Sequence, residues 1–139
     1  MAAVNLSKAA VDYLVNGLSV IPIKNKVAQH EWKIFQSSLM QVSKAEYNFR
    51  DGDGIAIITG KISKNIEVID VDLKNDISGT LRADLTELIE NHLPGILSKL
   101  TIIKTKNNGL HIYYRCSKIG GNTKLANRLP TEDELKKKT

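Results

Sequence analysis

The chain has 139 residues, enough for one domain with one hydrophobic core. Apolar residues make up 42% and charged residues 25%, an ordinary globular balance, and no apolar run reaches membrane-spanning length. A single cysteine, Cys116, excludes an internal disulfide and a cysteine-based zinc cluster, while the net charge of +5 belongs to the body of the chain, because Glu132, Asp133 and Glu134 balance Lys136, Lys137 and Lys138. That surplus favours an anionic partner such as nucleic acid or a polyphosphate.

The start, Met1-Ala2-Ala3-Val4-Asn5, lacks the charged and apolar regions of a signal peptide, so a reducing cytoplasm is the expected compartment, with no membrane partner. Asn5 or Ser7 can cap a first helix, with Leu6, Ala10, Tyr13 and Leu14 at helical spacing and Gly17 as its stop. Ser19–Ile23 reads as a short buried strand, which Pro22 assigns to an edge or a strand end. A basic loop follows, with Lys24, Lys26 and Lys33 around Trp32 and Phe35. Lysines can hold phosphates while an aromatic packs a base; the blander reading makes Trp32 and Phe35 a satellite core. Ser43-Lys44-Ala45-Glu46 has the pattern of a capping box for a short helix ending near Phe49.

Ile55–Thr59 and Ile66–Asp72 read as strands of a hairpin joined by Lys61–Asn65. Thr59-Gly60 offers a hydroxyl and bare backbone to a phosphate, or simply a turn. The stretch Ile66–Asp72, Ile-Glu-Val-Ile-Asp-Val-Asp, is the chemical centre of the chain. Side chains alternate along a strand, so Asp70 and Asp72 emerge on one face. Two neighbouring carboxylates repel each other unless a hard cation lies between them, and Mg²⁺ or Mn²⁺ commonly shares carboxylates with substrate phosphates. The competing reading is a pair of aspartates ending a strand before the turn Lys74-Asn75-Asp76.

Thr80 can cap a helix to about His92, with Leu81, Leu85, Leu88 and Ile89 as its buried stripe and Pro94-Gly95 as its end. Thr101–Thr105 and Leu110–Arg115 read as a second hairpin across Asn107-Asn108-Gly109. Alternation puts His111, Tyr113 and Arg115 on one face of the return strand. That set, just after a glycine that lets a ligand approach, suits a phosphate or a sugar, or else a histidine satisfied by cross-strand partners. Gly120-Gly121-Asn122 is a loop, and Thr131-Glu132-Asp133-Glu134 after Pro130 looks like a helix start.

The ordered combination is Tyr13-Leu14 with Gly17-Leu18-Ser19-Val20-Ile21-Pro22, Lys26 with Trp32 and Gln36, Gly54-Ile55-Ala56 with Thr59-Gly60, Val68-Ile69-Asp70-Val71-Asp72, then Thr105 with Gly109-Leu110-His111-Ile112-Tyr113-Tyr114. It resembles the N-terminal domain of bifunctional primase-polymerases of the archaeo-eukaryotic primase superfamily, over about residues 9–128. Each motif alone is common; the order carries the resemblance. It implies an α+β fold with an RRM-like antiparallel or mixed sheet and flanking helices, with a primase-polymerase domain over 1–128 and a linker or tail over 129–139. It also implies metal-dependent, template-directed nucleotidyl transfer in the replication of a mobile element or phage. The expected partners are (deoxy)nucleoside triphosphates and a single-stranded DNA template, with Mg²⁺ or Mn²⁺ as cofactor.

By that resemblance Asp70 and Asp72 are the metal-binding aspartates and, with His111, the catalytic set. His111, Gly109, Thr59, Gly60 and Arg115 are nucleotide-binding candidates, with Lys104 and Lys106 nearby, and Lys24, Lys26 and Lys33 are nucleic-acid-binding candidates. Two departures stand out. Lys26 is followed by Val27-Ala28 where a proline is usual, and the family's third acidic residue, on a strand beyond the histidine motif, has no counterpart here. Glu132, Asp133 and Glu134 lack a strand pattern. The sheet is therefore expected to be incomplete at its C-terminal side, with an unpaired edge open to homodimerisation. A C-terminal helicase or replication module is expected in a longer protein. The competing readings are a catalytically inactive nucleic-acid-binding module that keeps the fold, and a sugar-nucleotide transferase, against which the lack of a βαβ series speaks.

Overall fold

The computed structural model describes residues 5–126 and 131–136. The fold is α+β, with helices and two small three-stranded antiparallel sheets. Residues 5–67 with 115–119 form one compact unit, and 68–114 with the described residues from 120 onward form a second.

The first unit opens with α1 (Leu6–Val15), capped by Asn5, whose Oδ1 accepts the Lys8 N–H at 3.1 Å. Ala10 and Leu14 are buried, whereas Tyr13, expected on the same stripe, is exposed. The chain leaves the helix through Gly17 at φ +81°, a left-handed conformation that glycine adopts freely. β1 (Ser19–Lys24) then runs between β2 (Val27–Ala28) and β3 (Gly54–Ile58), antiparallel to both. Asn25 and Lys26, at φ +50° and +65°, make the two-residue turn into β2, the positive-φ pair that a tight hairpin requires. The Asp53 carboxylate accepts the Asn25 N–H at 3.0 Å and fixes this turn.

Pro22 lies in the middle of that central strand, not at an edge or an end. The ladder tolerates it because the Pro22 nitrogen faces the two-residue β2, beyond whose end Gln29 donates to the Pro22 carbonyl at 3.1 Å. α2 (Val42–Asn48) starts one residue before Ser43; Gln41 occupies the cap position without a side-chain bond, so the capping box is not formed. Ala10, Leu14, Val20, Met40, Ala45 and Phe49 make the core, and Phe35 packs against it. Trp32 does not join that core and remains 36% exposed. The predicted hairpin of β3 with the following strand is not formed. β3 pairs with β1, and β4 (Ile66–Val71) belongs to the other sheet, leaving a single bridge from Gly60 to Ile66.

The second sheet has the order β4-β6-β5, with β5 at Thr101–Lys104 and β6 at Leu110–Arg115. β5 and β6 form the predicted hairpin, with Ile103 opposite His111 and Lys104 opposite Leu110. Leu110 and Ile112 are buried, and the alternate residues of β6 are less so. α3 (Leu81–His92) is where expected, but its stripe is not: Leu85 and Ile89 are half-buried, while Leu81 and Leu88 are exposed. At about 100° per residue, Leu81 and Leu88 lie to one side of Leu85, while half-buried Thr86 and Glu90 lie to the other. The covered face is therefore rotated away from the two leucines. Thr80 precedes this helix without a side-chain cap, and Asp76 instead accepts the Leu81 N–H at 3.1 Å. The predicted helix start near Thr131 is α4 (Glu132–Lys136). Residues 127–130, which span the predicted boundary between domain and linker, and 137–139 lie outside the described residues.

Candidate metal and nucleotide site

β4 brings Asp70 to the sheet and releases Asp72 just past its end, both with most of their side chains in solvent. β6 carries His111 alongside. His111 Nε2 lies 3.5 Å from Asp70 Oδ1, and the Tyr113 hydroxyl lies 3.3 Å from His111 Nδ1. A ring carrying its proton on Nε2 accepts from the phenol at Nδ1 and leaves the Nε2–H within ion-pair distance of the carboxylate. The two rings meet edge to face, with centroids 6.0 Å apart. Asp70, His111 and Tyr113 thus form one chain across neighbouring strands, and the tyrosine fixes the tilt of the imidazole.

Asp72 has a different engagement. Its Oδ1 accepts the Lys74 N–H at 3.0 Å, and its Oδ2 pairs with Lys74 Nζ at 3.1 Å. The backbone bond is the leading cause, and the ammonium the next, that holds the Asp72 carboxyl below the usual 3.8. The turn reading of the strand end is therefore realised at Asp72. An ionised carboxylate still has lone pairs to spare for a cation. Two carboxylates at a strand end fit a Mg²⁺-type ion, which takes one or two protein carboxylates and completes its shell with phosphates and water. Among the described residues no group of three His, Cys, Asp or Glu side chains converges.

Gly109 holds the site together in an unforeseen way. A Cβ there would lie 2.6 Å from the Val71 carbonyl oxygen and 2.9 Å from Thr105 Oγ1. The residue lacks a side chain because the backbone at the end of β4 occupies that space. The left-handed residue of the turn is Asn108, at φ +63°.

The remaining candidates belong to the first unit. Thr59 and Gly60 are in the first unit, where Gly60 at φ +96° leads into the turn Lys61–Ser63. Arg115 also belongs to that unit, and its Nη1 donates to the carbonyls of Lys64 at 2.6 Å and Ser63 at 3.2 Å. Lys24, Lys26 and Lys33 are exposed residues of the first unit, on the β1–β2 hairpin and on the turn that starts at Lys33. Lys74 was not among the site candidates; an Asp-x-Lys at the end of a strand, before turn residues, was the available signal.

No helix among the described residues is long and apolar enough to cross a membrane. The chain matches the family described as bifunctional DNA primase/polymerase, N-terminal, over residues 10–138. No curated protein and no solved structure matches it.

Proposed function

The chain belongs to the bifunctional DNA primase/polymerase N-terminal family, and from that premise we propose that Asp70, Asp72 and His111 bind the triphosphate of an incoming nucleotide for metal-dependent nucleotidyl transfer on a DNA template. The observation that carries this reading is the placing of Asp70 on β4 within 3.5 Å of His111 on β6, with Asp72 two residues on. Asp70 and Asp72 would hold a divalent cation. When bound, that ion neutralises phosphate charge and polarises the phosphoryl group. His111 would donate from Nε2 to a phosphate oxygen, with Tyr113 keeping the ring in that orientation, and Lys104 and Lys106 on the same hairpin would add positive charge. Gly109 is the nucleotide-side candidate of this site, adjoining the carboxylates through Val71.

Titration of a labelled dATP analogue, with and without Mn²⁺, tests the reading on the wild-type chain and on Asp70→Ala. Metal-dependent binding that disappears in Asp70→Ala is the expected result. Binding that is equal in both proteins would sink it.

A second reading, a nucleic-acid-binding module without chemistry, is favoured by the engagement of Asp70 by His111 and of Asp72 by Lys74. It predicts salt-dependent binding of single-stranded DNA with no metal-dependent triphosphate binding. Either reading accommodates pairing of two copies through β5, an edge strand whose four residues are all exposed. Light scattering at high concentration distinguishes the paired form from a monomer.

A further inference from the structure

The first unit contains a cavity of about 230 Å³ that no part of the metal and nucleotide site uses. Ile21, Phe35 and Met40 give it an apolar wall, and Trp32 lines it while remaining 36% exposed. The volume is below the roughly 300–1,000 Å³ of pockets that enclose drug-sized ligands, so the cavity suits a single ring system rather than a whole nucleotide. Two side-chain amides supply polarity. Asn48 Nδ2 donates to Met40 Sδ at 3.4 Å, a weak acceptor, so the amide keeps most of its hydrogen-bonding capacity. Gln29 Nε2 donates to the Val27 carbonyl at 3.2 Å, and its amide oxygen is not used in that bond. His30, between Gln29 and the aromatic turn, is held at φ +132°, a conformation that costs energy for a residue with a side chain.

Glu31 is the one acid of the lining, and three lysines stand just outside the lining along the same stretch of chain. Lys33 follows Trp32 directly, Lys24 ends β1, and Lys26 lies in the turn that leads into β2 and on to Gln29; all three are exposed. An aromatic-walled cavity of one-ring size, with amides in its lining and exposed lysines on the adjoining hairpin and turn, combines the features that bind unpaired bases: stacking, edge recognition and phosphate attraction. We propose that this cavity takes one unpaired base of a single DNA strand, with Trp32 stacking on the base, Asn48 bonding its edge, and Lys24, Lys26 and Lys33 holding the flanking phosphates. This site deepens the template side of the function proposed above and rests on that reading only for the strand's role as a template.

Trp32 is the only tryptophan in the chain, so its fluorescence reports the site directly. The test titrates the whole chain with a short oligothymidylate and with an abasic strand of equal length and charge, without metal or triphosphate. The oligothymidylate is expected to quench Trp32 emission and to bind about 5- to 100-fold more tightly than the abasic strand. With a labelled strand followed by anisotropy, Trp32→Ala is expected to lose that preference while keeping the salt-sensitive binding that both strands share, and Trp32→Phe to retain most of it. Equal affinity of the wild type for the two strands, unchanged emission at saturation, or no binding of either strand overturns the proposal, and so does a preference that survives in Trp32→Ala. Because the wild-type comparison needs no variant, a folding defect cannot hide the answer. Metal-dependent triphosphate binding, measured separately against Asp70→Ala, reports the carboxylate site, so either site can fail without the other.

Discussion

Asp72 and Asp70 differ by two positions and by what holds them. Lys74 contributes an N–H and an ammonium to Asp72, and the carboxyl is held below its usual value. The sign follows from linkage: a carboxyl depressed in the folded state stabilises it above the unfolded value near 3.9, and that contribution fades as pH falls through the folded value. The pair is exposed, so its effect on stability is small. Its effect on ligand affinity is expected to be measurable. Lys74→Ala should raise the Asp72 titration, followed by carboxyl NMR, only part of the way, because the residue-74 backbone N–H, the leading cause of the depression, remains. The same variant removes a competing cation and should tighten Mn²⁺ binding by up to about fivefold, in line with exposed ion pairs of roughly 0.2–1 kcal/mol. Arg115 illustrates the opposite case. Spacing put it on the face of His111, yet its guanidinium bonds the carbonyls of Ser63 and Lys64. Spacing along a strand fixes which face a side chain leaves from, but a long side chain finds its partner on whichever turn the chain brings alongside. Arg115→Ala is expected to cost about 1 kcal/mol, read as a lower denaturation midpoint at unchanged slope.

At the level of elements, the two strands of the histidine hairpin and its turn were legible, because Asn107-Asn108-Gly109 is a strong turn signal between two alternating runs; the registry was not, since Thr105 pairs with Gly109 across a longer loop than an Asn-Gly turn makes. The pairing of β3 with β4 was misread. Lys64 and Asn65, both at positive φ, do turn the chain between them, but β3 finds its partner in β1, and no local pattern announces a partner so far back in the sequence. Local cues also missed the rotation of α3, since its leucines mark an apolar side without saying what covers it. Gly109 yields a firm expectation at this scale. Gly109→Ala forces a methyl against the Val71 carbonyl, a backbone atom that cannot swing aside. A destabilisation of about 1–3 kcal/mol is expected from such overpacking. Chemical denaturation would measure it, and a variant as stable as the wild type would show that β4 and the turn can separate at no cost.

For the whole molecule, the net charge of +5 sets the expectation for binding. Affinity for single-stranded DNA should fall with rising salt at a slope of about −0.7 per neutralised phosphate. Replacing Lys24, Lys26 or Lys33 by Ala should each flatten that slope by up to about one such contact, while Asp70→Ala should leave it unchanged. The α+β class and the ordered set of motifs could be read in advance, because each strand and helix carries its own period. The division into two compact units could not, since it depends on contacts distant in sequence.

The close approach of Val71 and Gly109 bears on how such a domain can change over time. The chemical groups of the site sit on a framework made by backbone atoms: the carbonyl of Val71 against the bare α-carbon of Gly109. Asp70, Asp72 and His111 project from that framework and are all at least a third exposed, so replacing them leaves the framework as it was. A lineage could therefore lose the enzyme and keep the fold, or regain the enzyme by few substitutions, without passing through an unstable chain. Stability alone would then never reveal which of the two a given descendant is.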